Sequence, residues 1–179
     1  MKTTRLRTNA LLLLSLTIVA PVPAQQDKET GWDEWRPLLG KWNAEGGGQP
    51  GTATAGGFSF DFDLQGKVIV RRNYSEYPAT GTRPASRHDD LMVIYRDPAK
   101  GTRAVYFDNE GHIIHYTVSF SEDRNTITFT SDVNPSEPRF RFIYTRQKED
   151  TLSLEFDIAP PGKPDSFTKY VEGTARRQR

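Results

Sequence analysis

Beyond residue 57, hydrophobic and polar positions alternate along the chain with a period of two. The segment Phe58–Leu64 shows this best, because apolar residues occupy every second position and Ser59, Asp61 and Asp63 lie between them. Such alternation is typical of a β-strand with one buried face. The pattern recurs as far as the C-terminus, and short runs of glycine, proline, asparagine and aspartate separate its segments. These runs predict turns.

The pattern predicts about ten strands, counting the segment after Trp42. The later ones are predicted at residues 58–64, 67–77, 90–96, 103–108, 112–120, 126–131, 139–146, 151–158 and 166–176. Strands joined by short turns are antiparallel neighbours, because a parallel pair needs a crossover of about a dozen residues or more. We therefore predict an all-β fold, an antiparallel up-and-down barrel that leaves no sheet edge exposed. An open sandwich of two sheets is the alternative.

A short helical turn is predicted before the strands. Trp32, Trp35 and Leu39 recur at helical spacing, but Pro37 limits the helix to one or two turns because proline has no amide proton. The turn leads directly into Gly40-Lys41-Trp42, at the start of the first strand. We expect it to close one end of the barrel.

The N-terminus has the layout of a secretory signal peptide. A basic start precedes the apolar run Ala10–Ala20, and Val22-Pro23-Ala24 ends in a small residue. The run is shorter than the roughly 20 residues of a membrane-spanning helix, and no cysteine follows it to carry a lipid. We predict a signal peptide over residues 1–24, one domain over residues 25–179, and a periplasmic or extracellular protein without membrane insertion. An uncleaved N-terminal anchor is the alternative.

The predicted cleavage changes the charge of the protein. The chain has 24 Lys plus Arg and 23 Asp plus Glu, and Lys2, Arg5 and Arg7 fall in the leader. The remaining domain carries 21 cations and 23 anions, a formal charge of −2. A near-neutral domain gives no electrostatic basis for binding nucleic acid. The absence of cysteine excludes disulfides and zinc–thiolate sites.

The stretch Leu38-Leu39-Gly40-Lys41-Trp42, followed by Glu45 and three glycines, resembles the start of lipocalin-like (calycin) barrels. In that family a short turn precedes Gly-x-Trp in the first strand. The stretch looks most like the ten-stranded nitrobindin-type barrels and the secreted bacterial barrels near them. The family's tryptophan lies across the closed end, and a basic residue of the last strand packs on it. The resemblance therefore implies a structural role for Gly40, Trp42 and Arg176, with Arg177 as the alternative to Arg176.

The resemblance does not extend to haem. Haem-binding members supply a histidine ligand from near the C-terminal end of the barrel, and this chain has no histidine after His115. Lys169 and Tyr170 are the nearest substitutes in its last strands. We expect neither haem nor another cofactor.

Inward-facing polar side chains are the candidate ligand contacts. Strand parity and position select Arg72, Tyr74, Tyr116, Tyr144 and Arg146, with His112 at a rim. Arg72 shares its parity with Val68 and Val70, and a buried guanidinium needs an anion. That anion is either a ligand carboxylate or phosphate, or an internal carboxylate such as Asp90 or Glu172. The tyrosines either line a pocket or fill the core.

These features predict an exported barrel that binds a small hydrophobic or amphipathic molecule in its interior. Catalysis has no support, because the chain contains no nucleophile elbow, phosphate loop or zinc-protease motif. On a strand, His112 and His115 point to opposite faces, so the strand does not form a two-histidine metal site by itself. The alternatives are a small-barrel enzyme using inward Arg, Tyr and His, a haem-binding barrel, and a filled barrel that acts as an interaction protein of the cell envelope.

Overall fold

The computed structural model describes residues 31–45 and 53–179. The predicted signal peptide and the glycines after Glu45 lie outside these ranges. No helix within the described ranges is long and apolar enough to cross a membrane.

Ten antiparallel strands form one closed barrel, in which each strand pairs with its sequence neighbours and the first closes against the last. The strands are β1 (Gly40–Ala44), β2 (Ala55–Asp63), β3 (Val68–Tyr77), β4 (Ser86–Asp97), β5 (Gly101–Asp108), β6 (Ile113–Phe120), β7 (Thr126–Ser131), β8 (Arg139–Lys148), β9 (Thr151–Ala159) and β10 (Thr168–Arg177). The prediction of an all-β up-and-down barrel is confirmed. The alternative of an open sandwich is wrong.

A short 3₁₀ helix, Asp33–Leu38, lies at one end of the barrel, which we call the closed end. Its Trp35 is fully buried and packs edge-on against Phe129, with ring centroids 6.0 Å apart. The helix is short because Pro37 interrupts its hydrogen bonding. Gly40 then starts β1 with a φ of 101°, in the left-handed region that favours glycine.

Trp42 packs beneath this helix. Its indole N–H donates a hydrogen bond to the carbonyl oxygen of Leu38 at 2.8 Å. The guanidinium of Arg177 lies 4.3 Å from the centre of its ring. The choice of Arg176 for this contact was wrong, because the register pairs Trp42 with Arg177. Arg176 lies on the outer face, where its Nε is 2.6 Å from the carboxylate of Glu45.

Packed side chains fill the half of the barrel next to the closed end. The largest fully buried apolar side chains are Trp32, Trp35, Trp42, Phe60, Ile69, Met92, Ile94, Phe129 and Leu152. Such a core holds the barrel together without disulfides. It also restricts any interior binding site to the other half.

The predicted faces of β3 were wrong by one residue. Ile69 and Arg71 point into the barrel, with exposed fractions of 0% and 3%. Val70 and Arg72 lie on the outer face, and Arg72 is exposed. Apolar residues occur on both faces of this strand, so alternation alone does not decide which face is buried.

Strand β4 begins at Ser86 rather than at Asp90. His88 and Asp90, expected at a join between loop and strand, therefore lie inside the strand. They share a face with Met92, which is buried. Their side chains point into the barrel for this reason.

Candidate functional site

A buried ion pair lies inside the barrel, beyond the packed half. Arg71 on β3 donates a hydrogen bond through Nη1 to Oδ1 of Asp90 on β4. Asn73, two residues along β3, donates to the other oxygen of Asp90 at 2.7 Å. Both carboxylate oxygens therefore have a donor. The antiparallel register of β3 and β4 places the three side chains together, since it pairs Asn73 with Asp90.

The ion pair stays charged despite its burial. Burial opposes ionisation of Asp90, but the charge of Arg71 and the hydrogen bonds of Asp90 lower its pKa. Burial likewise opposes the charge of Arg71, yet the carboxylate of Asp90 outweighs it and raises the pKa of the guanidinium. A buried charge that keeps its partner is tolerated, whereas an isolated one is not.

Aromatic rings surround the guanidinium of Arg71. Its Cζ lies 5.6 Å from the ring centre of Phe58 and 5.8 Å from those of Phe142 and Tyr144. These distances allow cation–π attraction. The rings also separate the ion pair from solvent.

Three buried polar atoms around Arg71 have no hydrogen-bond partner among the described residues. They are Nε of Arg71 and the hydroxyl oxygens of Tyr116 and Tyr144. Burial raises the pKa of both tyrosines, and the nearby charge of Arg71 opposes this effect. Both hydroxyls are therefore protonated at neutral pH and can donate as well as accept. A buried polar atom without a partner costs about 1–3 kcal/mol, so this cluster is suited to receiving one.

His88 connects the ion pair with the opposite end of the barrel, where β3 ends and β4 begins. Its Nε2 lies 3.1 Å from the hydroxyl of Tyr106 and 3.5 Å from Asp90, and its Nδ1 lies 3.0 Å from Glu110. The hydrogen bond with Asp90, helped by that with Glu110 and opposed by burial, raises the pKa of His88 to about 9. His88 is therefore an imidazolium at neutral pH, with both ring nitrogens as donors.

The hydrogen-bond chain continues from Tyr106 to the rim. The Tyr106 hydroxyl donates to Asp108 at 3.2 Å, and Nδ1 of His112 lies 2.8 Å from the same carboxylate oxygen. Burial opposes the ionisation of Asp108, but backbone and side-chain hydrogen bonds from His112 lower its pKa. His112 is exposed at the rim. The rim thus carries a histidine–carboxylate pair, the arrangement that a small-barrel enzyme would require.

Aromatic residues that are at least partly exposed line the barrel beside this cluster. They come from β8, β9 and β10, and we call them the aromatic wall: Phe140, Phe142 and Phe156, which are half-buried, and Tyr170, which is 51% exposed. Phe142 and Phe156 have ring centroids 4.4 Å apart, and Phe140 stacks on Phe156 at 5.9 Å. Their partial exposure contrasts with the complete burial of the rings near the closed end. Apolar walls around a few polar groups are typical of small-molecule sites.

The structure separates the predicted ligand residues. Tyr116 and Tyr144 lie at the interior cluster. Arg72 and Tyr74 lie on the outside of the barrel, in a cleft of about 670 Å³. Arg146 points inward near the closed end, where its Nη2 donates to the side-chain oxygen of Asn125 at 2.6 Å.

Sequence reasoning missed the ion pair and its extension, namely Arg71, His88, Tyr106 and Asp108, and considered Asp90 only as a partner of Arg72. A signal was present in β4. Counting back by twos from the apolar residues Met92 and Ile94 places Asp90 and His88 on the same inner face. Because these inner positions are polar, the alternation of apolar residues begins only after them, and the predicted strand starts four residues late.

No group of three or more histidine, cysteine, aspartate and glutamate side chains in the described part of the chain is arranged to hold a metal ion.

The closed ten-stranded architecture is that of a lipocalin-like barrel in general. The crystal structure of Rv2717c from M. tuberculosis is similar to it, with a TM-score of 0.55 and 16% sequence identity, over 83% of this chain and 97% of that one. At this identity the similarity shows the fold alone. No family model and no curated protein sequence matches the chain.

Proposed function

We propose that the protein is an exported lipocalin-like barrel that binds one small amphipathic molecule in its interior. The polar group of the ligand faces Arg71, Tyr116 and Tyr144, and its apolar body packs on the aromatic wall. The observation that carries the proposal is the set of three buried polar atoms around Arg71 that have no hydrogen-bond partner in the described part of the chain. Export rests on the predicted signal peptide.

The cluster favours a ligand group that accepts hydrogen bonds. Arg71 offers the N–H of its Nε, and the two tyrosines offer hydroxyls. Asp90 already neutralises Arg71, so a full negative charge on the ligand is not required. A carboxyl, ester or carbonyl oxygen suits this set, and the aromatic wall suits an acyl chain or a flat ring.

Haem-binding members of the nitrobindin-type barrels use a histidine ligand, and the inward residues of this chain do not fit haem. Both ring nitrogens of His88 are occupied by carboxylates and Tyr106. His112 is exposed at the rim, and His115 is exposed on the outer face of β6. Of the two substitutes in the last strand, Lys169 is paired with Glu155 and Glu172, and Tyr170 packs edge-on against Phe156 with ring centroids 6.1 Å apart. We therefore propose a ligand other than haem.

A second candidate function is acid–base chemistry at the rim. The observation in its favour is the contact between His112 and Asp108, 2.8 Å long, which continues through Tyr106 to His88. An imidazole beside a carboxylate is a common general base. Turnover that is lost in His112→Gln while interior binding persists would favour this function.

Native mass spectrometry of the protein purified from its host, followed by titration with fatty acids, tests the interior site. Tyr116→Phe and Tyr144→Phe each remove one hydroxyl and keep the ring. Each is expected to weaken binding about 2- to 12-fold, as the loss of one hydrogen bond would. Tyr95→Phe, which alters a tyrosine on the outer face of β4, is the matched control and should bind as the wild type does.

Two results would contradict the interior site. One is a protein with no co-purifying mass and no uptake of any fatty acid, as expected of a filled barrel. The other is uptake that the double variant Tyr116→Phe, Tyr144→Phe leaves unchanged.

A further inference from the structure

The cleft on the outside of the barrel crosses β1 to β5. Strand register aligns two rows of side chains in it. One row is Lys41, Ser59, Arg72, Leu91 and Phe107. The other is Asn43, Gly57, Tyr74 and Asp89. The volume of about 670 Å³ is within the usual range for a small-molecule site.

The first row has a cationic end and an apolar end. Lys41 and Arg72 are exposed cations at one end, and neither forms a salt bridge with a described residue. Ser59 lies between them in the register. Leu91 and Phe107 continue the row as an apolar surface, and Phe107 is 40% exposed.

Three acidic residues line the cleft, and each has a partner: Asp90 pairs with Arg71, Asp108 with His112, and the outward-facing Asp89 with Arg87. Asp89 accepts hydrogen bonds from Nε of Arg87 at 2.8 and 3.1 Å. Arg87 also contacts Glu76 and lies over the ring of Tyr74, 4.5 Å from its centre. Lys41 and Arg72 are the cations of the cleft that no carboxylate of the described residues pairs with.

Gly57 keeps the floor of the cleft open. A Cβ at this position would lie 2.8 Å from the carbonyl oxygen of Trp42 and 3.2 Å from Cε1 of Tyr74. The ring of Tyr74 thus packs directly on the glycine backbone. The ring of Tyr74 is therefore held between the backbone of Gly57 and the guanidinium of Arg87.

We propose that this cleft is a second binding site, for an amphipathic anion with a single carboxylate or sulfonate group. The anionic group lies between Lys41 and Arg72, where the hydroxyl of Ser59 donates a further hydrogen bond. The apolar body lies on Leu91 and Phe107, which begin one strand beyond Arg72. Neighbouring strands are about 4.8 Å apart, so a body about 10 Å long covers both residues. The site does not depend on the interior one.

Two-dimensional ¹⁵N–¹H NMR of the purified protein, titrated with naphthalene-2-sulfonate, tests this proposal. We expect saturable shifts at the amides of Ser59, Arg72, Leu91 and Phe107. The uncharged analogue 2-naphthol should bind at least about tenfold more weakly, because it lacks the charge-assisted hydrogen bonds. The variant Lys41→Ala, Arg72→Ala should weaken sulfonate binding by at least about the same factor.

The matched control is Arg83→Ala, which removes an exposed arginine of the β3–β4 loop outside the cleft. It should bind the sulfonate as the wild type does. Shifts confined to Tyr116, Phe142 and Phe156 would place the probe in the interior and overturn the proposal. Unsaturable binding, or equal binding by the double alanine variant, would also overturn it.

Discussion

Removing the carboxylate of Asp90 is predicted to destabilise the barrel more than removing the guanidinium of Arg71, although the two form one ion pair. After Asp90→Asn, Arg71 remains charged and 3% exposed, without another carboxylate bonded to it among the described residues. After Arg71→Met, Asp90 keeps the hydrogen bond from Asn73 at 2.7 Å and the imidazolium of His88 at 3.5 Å. The buried charge that remains therefore keeps a partner in Arg71→Met but not in Asp90→Asn.

The expected magnitudes follow from this asymmetry. Asp90→Asn should lower the free energy of unfolding by about 3–5 kcal/mol, the usual effect of leaving a buried charge without its partner. Arg71→Met should be at least about 1.5 kcal/mol milder, because the hydrogen bonds that Asp90 retains are bonds to a charged group. The double variant should lose less than the sum of the two, since no uncompensated buried cation remains.

Urea unfolding at neutral pH, followed by tryptophan fluorescence, measures these differences. The exposed controls Asp61→Asn and Arg83→Met should stay within about 0.5 kcal/mol of the wild type. The reasoning is refuted if Arg71→Met is as destabilising as Asp90→Asn, or more so. A loss below about 1 kcal/mol for Asp90→Asn would show that Arg71 is not a buried cation dependent on this carboxylate.

Three further predictions concern stability. The pKa of His88 is raised from 6.5 to about 9, so the contribution of His88 to the free energy of unfolding should be complete below pH 6.5 and lost as the pH rises through about 9. Urea unfolding measured against pH should show this loss, and the variant His88→Gln should abolish it. Gly57→Ala should destabilise by about 1–3 kcal/mol through overpacking, whereas Gly81→Ala, with no atom within 4 Å of the new Cβ, should have little effect in thermal unfolding. Arg177→Ala should lower the free energy of unfolding in urea by about 2–3 kcal/mol, because it removes a cation–π contact and hydrogen bonds to the closing helix. Arg176→Ala should lower it far less, and equal losses in the two variants would contradict this prediction.

The barrel was predictable because most of its strands carry their own signal. Phe58–Leu64 alternates strictly, and its apolar positions Phe58 and Phe60 are buried, whereas Phe62 and Leu64, at the end of the strand and in the turn after it, are exposed. Turn residues separate the strands clearly, so their number and antiparallel order follow from local sequence. The closing helix was predictable for the same reason, since Trp35 and Pro37 are neighbours in the chain.

The interior cluster was not predictable, because it depends on pairing between strands. Arg71 and Asp90 are separated by a turn and meet only through the register of β3 and β4. On β3, Val70 is only 5% exposed although it lies on the outer face, so both faces look buried in the sequence. Arg176 and Arg177 are likewise identical neighbours, and only the pairing with Trp42 distinguishes them.

The side chains of the adjacent residues Arg71 and Arg72 lie on opposite faces of β3. Their charges differ in how strongly salt screens them, and this difference provides a further test of the two proposed sites. Arg71 is neutralised by Asp90 in a buried pair, and such pairs are little screened by salt. Arg72 is exposed and has no salt bridge among the described residues, so its attraction for an anion is screened. Raising the salt concentration from about 0.01 M to 1 M shortens the screening length from about 30 Å to about 3 Å. It should therefore weaken sulfonate binding at the cleft and leave fatty-acid uptake in the interior nearly unchanged. Equal salt sensitivity of the two binding events would mean that both probes occupy one site.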